Sequence, residues 1–352
     1  MNLLRQHSFQ AALLKEFEAK ALVKMAADDL GRGMPKGAQQ WAQSIRTATG
    51  GGSGPRSWLF ILPNNHSVAG IYPLTVAAKA GLRVWVRRTN SKRGSAESLL
   101  IAHFKKEMGA RLTIVPETFR IGETLLPPGV EAVFAFAADT TVAALRPALR
   151  IPLQAFGEAT CAALIATDDI AANPSAIARL LVRDAFSLGQ MGCMSTRVAI
   201  VTGTPTSAMR EAFVRLVRAE AYRVVKGQLT ITTEVALDHD IPVWLGRNAR
   251  ILPRTATDEP LVPWTDGPPI HASAALSARR FVIPIIFTNE ISEVREWLPT
   301  LRYLAASPAW VREEKVFPGV QIVPLGRANA PQWDGTHEGR PLFVPNVLSP
   351  LA

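Results

Sequence analysis

The stretch WLFILPNNHSVAGIYPLTVAAKAGLRVWVR, Trp58 to Arg87, contains two short apolar runs on either side of a longer amphipathic segment. Residues 58–62 and 83–87 have the composition of buried strands, and residues 68–80 have that of a helix. Two strands joined by a helix of this length predict a parallel β-α-β unit, because a parallel pair needs a long crossover connection.

The same alternation continues beyond this unit. We predict further strands at residues 111–115, 132–136 and 161–165, and further helices at residues 97–108 and 140–149. Short apolar strands alternating with helices predict an α/β fold with a doubly wound, Rossmann-type parallel sheet. In such sheets the ligand binds at the carboxyl ends of the strands.

A second α/β unit is predicted towards the carboxyl end. Its expected elements are strands at 198–202 and 281–287, a helix at 207–221 and a proline-rich surface loop at 253–269. The predicted domain organisation is a helical segment at 1–50, an NAD(P)-binding domain at 51–190, a catalytic domain at 191–318, and a segment at 319–352 that returns to the cofactor domain.

Composition and charge restrict the classes of function. The 352 residues have a net charge of +10, but the cations are spread along the chain and only three tyrosines are present, so we expect no nucleic-acid partner. No run approaches the roughly 20 apolar residues of a membrane span, and we expect no span and no signal peptide. Two cysteines cannot build a disulfide framework, and we expect a cytoplasmic protein.

We expect no metal site. The chain has no paired-cysteine or paired-histidine zinc motif. The isolated Asp238-His239-Asp240 is expected to form a surface turn.

Polar side chains follow the first two strands of the Rossmann-type sheet. Pro63, Asn64 and Asn65 follow the first strand, and a carboxamide there can stabilise a developing oxyanion or simply cap the turn. Arg87 and Arg88 stand at the end of the next strand, where guanidinium groups can bind a ribose phosphate or form an ordinary solvated loop.

The two cysteines have different surroundings. Cys161 stands within an apolar strand and is expected to be inert filler. Cys193 lies between an apparent helix and an apparent strand, with Gly189 and Gly192 nearby, where a substrate can approach closely. Spacing alone leaves a nucleophilic and a structural role open for Cys193.

Four segments in order resemble the aldehyde dehydrogenase superfamily and, within it, the LuxC-type fatty acyl-CoA reductase family. They are LPNNHSVAGIYPL, VWVRRT, FGEATCAALI and GQMGCMSTRVAIV, and the later GVQIVPLGRANAPQWDG also resembles the closing segment of that family. The resemblance implies that Cys193 is the catalytic nucleophile and that Asn65 is the oxyanion donor. It implies that Arg87 and Arg88, with Pro63 and Asn64, face the cofactor, which favours NADPH over NADH.

One departure from the superfamily concerns water. Ala155 stands where the hydrolytic members have the glutamate that activates water, so the resemblance implies an acyl-thioester reductase that forms an aldehyde. The implied partners are an acyl-CoA or acyl-carrier thioester, an acyl-transfer protein and a second copy of the chain. Alternatives are an acyl-phosphate reductase or semialdehyde dehydrogenase using the same cysteine, and a non-catalytic basic binding protein.

Overall fold

The computed structural model describes residues 57–62, 68–87, 96–116, 126–157, 159–186, 190, 194–226, 231–257, 259–267, 281–289, 291–311, 317–328, 336–337 and 340–341. The predicted helical segment 1–50 lies outside these residues. The chain divides into two compact units. The described residues up to 157, together with those from 336 to 341, belong to the first unit, and those from 159 to 328 belong to the second.

The first unit contains a five-stranded parallel sheet in the order β3-β2-β1-β4-β5. Its strands are β1 Ser57–Ile61, β2 Arg83–Arg87, β3 Leu112–Val115, β4 Ala132–Phe136 and β5 Leu153–Phe156. Its helices are α1 Val68–Ala80, α2 Ala96–Met108 and α3 Asp139–Ala148, with a 3-10 turn at Gly109–Arg111. A short antiparallel pair, β12 Thr336–His337 and β13 Arg340–Pro341, belongs to the same unit.

Alternating side chains of the first sheet enter two separate cores. On one face, residues of α1 and α2 pack on a cluster of four phenylalanines with ring centroids 5.1 to 5.7 Å apart. The four are Phe60, Phe134, Phe136 and Phe156. On the other face Leu145 of α3 joins buried residues of β1, β3 and β4. A tilted or edge-on aromatic pair adds about 0.5–1.5 kcal/mol to the burial term, so this cluster fixes the register of β1, β4 and β5.

The second unit contains a six-stranded sheet, also parallel, in the order β11-β10-β6-β7-β9-β8. Its strands are β6 Thr160–Ala166, β7 Thr196–Thr202, β8 Trp264–Asp266, β9 Ile285–Phe287, β10 Leu301–Ala306 and β11 Gln321–Pro324. Its helices are α4 Thr167–Ala172, α5 Pro174–Phe186, α6 Ser207–Val225, α7 Ile231–Leu245, α8 Val294–Trp297 and α9 Pro308–Val311, with a 3-10 turn at Ile291–Glu293.

Apolar residues of α5, α6 and α7 cover one face of this second sheet, and α8 with its flanking residues covers the other. In the first turn of α6 the hydroxyl of Thr206 accepts a hydrogen bond from the Met209 N–H, the usual N-cap arrangement. No helix in the described part of the chain combines the length and the apolar character that a membrane crossing requires.

The α/β fold class predicted from the sequence is confirmed, and α1, β2 and β4 have the predicted bounds. The division between the units differs from the predicted boundary at 190/191. Strand β6 pairs with β7 and β10 rather than with the first sheet, so the second unit begins near residue 159. At the carboxyl end β11 pairs with β10, and residues 336–341 belong to the first unit.

Two predicted segments have a different conformation. The strand predicted at 281–287 is regular only at 285–287, because Pro284 has no N–H and Phe281 has a left-handed φ of 63°. The loop predicted on the surface at 253–269 is instead buried from Glu259 to Thr265 and contains β8, because Leu261, Val262 and Trp264 join the core.

Candidate active site

The first sheet has a topological switch point between β1 and β4. The chain adds β2 and β3 on one side of β1 and then returns to place β4 on the other side, with Phe60 beside Phe134 and Ile61 beside Ala135. In such sheets a dinucleotide usually binds in the crevice at the carboxyl ends of the two strands on either side of the switch point, here β1 and β4. Pro63, Asn64 and Asn65 come directly after this end of β1, and all three lie outside the described residues.

Arg87 is the last residue of β2, next to β1 in the sheet. It stands in register between Ile61 of β1 and Val115 of β3 and is half-buried. Within the described part of the chain its guanidinium has no ion-pair partner. A guanidinium at the carboxyl edge of a parallel sheet, without a carboxylate to neutralise it, is suited to a phosphate or a ribose hydroxyl. Arg88 lies outside the described residues.

The turn after β4 has no glycine. Ala137 and Ala138 lead into α3, Ala138 provides no side-chain cap, and Asp139 supplies a carboxylate in the first helical turn. Asp139 lies against Gly157, the residue after β5, so closely that a Cβ at position 157 would overlap the Asp139 carboxylate. A negative group already occupies this helix N-terminus, where a phosphate would otherwise be favoured.

In the second unit the candidate nucleophile precedes a strand instead of following one. Cys193 itself lies outside the described residues, but its covalent neighbour Met194 packs against the core and β7 starts at Thr196. Met194 and the start of β7 lie at the amino-terminal edge of the second sheet. The opposite end of β7 is closed by internal hydrogen bonds, from the Thr167 hydroxyl to the Thr202 carbonyl (2.6 Å) and from the Trp310 indole N–H to the Thr202 hydroxyl (3.0 Å).

Gln190 anchors the chain three residues before Cys193. It has a left-handed backbone with φ of 58° and is fully buried. Its Nε2 donates to the carbonyls of Val282 (2.7 Å) and Thr196 (3.4 Å), and its Oε1 accepts from the Val282 N–H (3.2 Å). A left-handed conformation costs a residue other than glycine roughly 1–2 kcal/mol, and these buried hydrogen bonds offset that cost.

The cysteine loop, residues 191–195, is followed by Thr196, and Ser195 and Thr196 are both buried. Both are inaccessible to solvent, and within the described part of the chain the Ser195 hydroxyl has no hydrogen-bond partner. Cys161, on β6, lies beside this point with its Sγ 3.7 Å from the Thr196 Oγ1. The thiol of Cys161 is fully buried, as expected for a cysteine within an apolar strand.

A buried carboxylate ties helix α5 to the chain after β11. Asp184 is 1% exposed, and its oxygens accept the backbone N–H groups of Gly326 (2.6 Å) and Ala328 (2.9 Å). Burial raises the pKa of Asp184 to about 6, although these two hydrogen bonds and the nearby Arg183 oppose the shift. Gly326 has a φ of 86°, a conformation that favours glycine, and a Cβ there would overlap the Leu180 Cδ2.

No family model matches the chain, and no curated protein matches it either. Solved structures do match. An oxidoreductase from Marinobacter aquaeolei is 11% identical with a TM-score of 0.62, over 93% of this chain and 77% of that one. Aldehyde dehydrogenase 21 from Physcomitrella patens, in complex with the product succinate, is 12% identical with a TM-score of 0.59, over 93% and 79%. The chain has the aldehyde dehydrogenase fold. An NADP-dependent glyceraldehyde-3-phosphate dehydrogenase from Bacillus halodurans, complexed with NADP, is 16% identical with a TM-score of 0.53, over 89% and 76%.

The aldehyde dehydrogenase fold accounts for the two parallel sheets. Sequence identities of 11–16% establish the fold and do not establish the activity. The chain also spans only 34% of the length of a proline utilization A protein from Bradyrhizobium japonicum that it matches. Of the six site residues predicted from the sequence, only Arg87 is among the described residues. The association of Cys193 with Asn65 stays a prediction.

The Asp238-His239-Asp240 segment is not the predicted surface turn. It lies within α7, where Asp238 pairs with Arg254 and Asp240 is buried. Among the described residues no group of three or more histidine, cysteine, aspartate or glutamate side chains has an arrangement that could hold a metal.

Sequence reasoning assigned no role to Gln190 or Asp184. The sequence shows Gln190 only as a member of the segment around Cys193. Its hydrogen-bond partner Val282 is 92 residues away, so the sequence gives no sign of this contact. Asp184 gave a clearer signal, since it falls on the apolar stripe formed by Ile177, Leu181 and Ala185. A single acid on such a stripe indicates a buried carboxylate that needs hydrogen-bond donors.

Proposed function

We propose that the protein reduces an acyl thioester to an aldehyde with NADPH, through a covalent acyl intermediate on Cys193. The observation that carries the proposal is the buried Gln190, hydrogen-bonded to Val282 and Thr196 three residues before Cys193, in an aldehyde dehydrogenase fold. A nucleophile needs a fixed direction of attack, and a loop held at both ends by buried residues supplies it.

In the first half-reaction the Cys193 thiolate attacks the carbonyl carbon of the thioester and forms a new carbon–sulfur bond. The Asn65 carboxamide and the Cys193 backbone N–H donate hydrogen bonds to the oxyanion that develops. When the oxyanion collapses, the bond to the substrate sulfur breaks and the thiol leaves with a proton. The acyl group is then held on Cys193 as a thioester.

In the second half-reaction NADPH, which Arg87 and Arg88 would hold, would supply a hydride to the acyl carbon. The same two donors hold the oxyanion again, and its collapse returns the electron pair to the Cys193 sulfur and releases the aldehyde. The balance is one thioester, one NADPH and one proton consumed, and one aldehyde, one thiol and one NADP+ formed.

Ala155 supports reduction over hydrolysis. It lies on β5, beside Ala135 of β4, and a methyl group cannot remove a proton from water. The acyl group therefore persists on Cys193 until hydride transfer or attack by a thiol removes it. Glu158, three residues further along, is not assigned a role as base.

Arg87, next to the switch point, supports the proposal of a dinucleotide cofactor. The guanidinium of Arg87, which has no ion-pair partner among the described residues, stands at the edge where the adenosine ribose would lie, and Arg88 next to it would reach a 2′-phosphate. This arrangement favours NADPH, with NADH as the alternative. The net charge of +10 attracts the phosphates of CoA or the acidic surface of an acyl carrier.

The experiment is a steady-state assay of NADPH oxidation with acyl-CoA thioesters of increasing chain length, with acyl phosphates and free aldehydes in parallel. The proposal predicts turnover with thioesters, equimolar aldehyde and thiol, and no activity in Cys193→Ala. Cys161→Ala is the matched control, because it removes the other cysteine of the chain, which is fully buried on β6, and its activity is expected to stay within twofold of wild type. Turnover of acyl phosphates alone, or undiminished activity in Cys193→Ala, would reject thioester reduction through this cysteine.

A further inference from the structure

We infer that Gln190 is the positioning residue for the Cys193 nucleophile. The inference rests on the proposed function and adds to it the group that holds the cysteine loop. Gln190 acts from a distance of three residues along the chain, through the backbone of Val282 and Thr196.

The first observation is the double hydrogen bond to Val282. The carboxamide donates to the Val282 carbonyl and accepts from the Val282 N–H, which is the pattern that a neighbouring strand would provide. Leu261 pairs with the same segment, since it donates its N–H to the Phe281 carbonyl and accepts from the Ile283 N–H, both at 3.0 Å. The Gln190 side chain bonds the backbone groups of Val282 that these two hydrogen bonds do not use.

The second observation is the bond from Nε2 to the Thr196 carbonyl. It joins the residue before the cysteine loop to the first residue of β7, so one side chain connects the two ends of a segment that contains residues 191–193. Residues 191–193 themselves lie outside the described residues, and the inference depends only on the two ends. The five residues 191–195 between these two ends form a short segment with few conformations, and that restricts the direction of the nucleophile.

The third observation is the backbone conformation of Gln190. Glycine would adopt a φ of 58° without strain, yet the position has glutamine, fully buried and bonded through both ends of its amide. A residue held in a sparsely populated conformation by its surroundings is typical of functional sites. Among the described residues the only other non-glycine residues with a positive φ are Asn248 and Phe281. Phe281 adjoins Val282, the partner of Gln190.

The test uses the full chain with Gln190→Met, which keeps the length of the side chain and removes its hydrogen bonds. Gln190→Asn, which keeps the amide and shortens the side chain by one methylene, is the second variant and the milder change to folding. Thr202→Val is the matched control. It removes buried hydrogen bonds from the same strand at its opposite end, away from the cysteine loop.

Two readouts separate positioning from general destabilisation. One is the rate of Cys193 alkylation by iodoacetamide, followed by peptide mass spectrometry at a temperature where each variant is folded. The other is the division of the kinetic effect between kcat and KM for the thioester. We expect both Gln190 variants to lower the alkylation rate and kcat about tenfold or more, with KM within twofold, because a misplacement of about 1 Å costs on the order of 100-fold in rate. Thr202→Val is expected to stay within twofold in both.

Equal rates in wild type and a folded Gln190 variant would overturn the inference, as would the same fall in Thr202→Val. Alkylation needs no substrate, so the test of Gln190 holds even if thioester reduction fails. A Gln190 effect on alkylation without any thioester turnover would leave the positioning role in place and reject the reaction.

Discussion

Replacing Asp184 by asparagine tests the physical account of the second unit most directly. The carboxylate is buried between α5 and the chain after β11, and burial raises its pKa from 3.8 to about 6. A group with a raised folded-state pKa contributes stability that is complete below pH 3.8 and is lost as the pH rises through 6. At about 1.36 kcal/mol per pKa unit, ionisation of Asp184 lowers the free energy of unfolding by about 3 kcal/mol between pH 3 and pH 7.

Asparagine cannot ionise, so Asp184→Asn removes this pH dependence. The amide keeps one acceptor oxygen for Gly326 or Ala328 and leaves the other N–H without a partner, which costs about 1–3 kcal/mol at low pH. The variant is therefore expected to be less stable than wild type near pH 4 and to approach or exceed wild-type stability near pH 7. The measurement is urea unfolding at half-unit steps from pH 4 to 7.5.

Val182→Ala is the matched control for this series. Val182 is buried two positions before Asp184 on the same helix and does not titrate, so its substitution should lower stability by a similar amount at every pH. A difference between Asp184→Asn and wild type that stays constant from pH 4 to 7.5 would refute the reasoning.

Three further predictions address other parts of the chain. Gly157→Ala is expected to displace the Asp139 side chain and to lower the free energy of unfolding by less than about 1 kcal/mol. In an Asp139→Ala background the same substitution is expected to have no effect. A double-mutant cycle by thermal unfolding checks this, and additive effects would contradict it. Thr206→Ala should cost about 1 kcal/mol through loss of the α6 N-cap, whereas Thr206→Ser should cost much less, and equal losses in urea unfolding would argue against capping. Arg88→Ala should lower the NADPH to NADH ratio of kcat/KM about tenfold, since one charge-assisted hydrogen bond contributes at least about 1.5 kcal/mol; an unchanged ratio would remove Arg88 from the cofactor site.

The sequence predicted those parts of the fold that depend on local pattern. Helix α1 and strands β2 and β4 have the predicted bounds, because each is an apolar run with a single period between clear turn residues. Strand β5 was not predicted, because its four residues alternate only weakly in burial at the edge of the sheet. Helix α7 contains Pro242 and an apolar segment without a strong face, and its residues 238–240 therefore had the pattern of a turn.

The division between the units depends on pairing that sequence patterns do not contain. The apolar run at 161–165 has the same composition as the strands of the first sheet, yet β6 pairs with β10, about 140 residues later. The irregular start of the segment at 281–287 has a related cause. Val282 forms its hydrogen bonds with the side chain of Gln190, a contact that no local window includes.

The sequence is enough to propose candidate site residues from their types and motifs. It is not enough to find the buried residues that hold the surrounding backbone, Gln190 and Asp184. Cys193, Asn65 and Arg87 belong to short motifs that are visible in the sequence. Gln190 and Asp184 act through backbone groups distant in sequence, and only the folded chain brings those partners together.

The most direct measurement of the central claim is the mass of the protein after incubation with an acyl-CoA in the absence of NADPH. The account predicts one acyl group on the peptide that contains Cys193, stable against water because Ala155 provides no base, and released as an equimolar amount of aldehyde when NADPH is added. Wild-type protein that stays unmodified with every thioester, or an adduct of equal amount in Cys193→Ala, would contradict it.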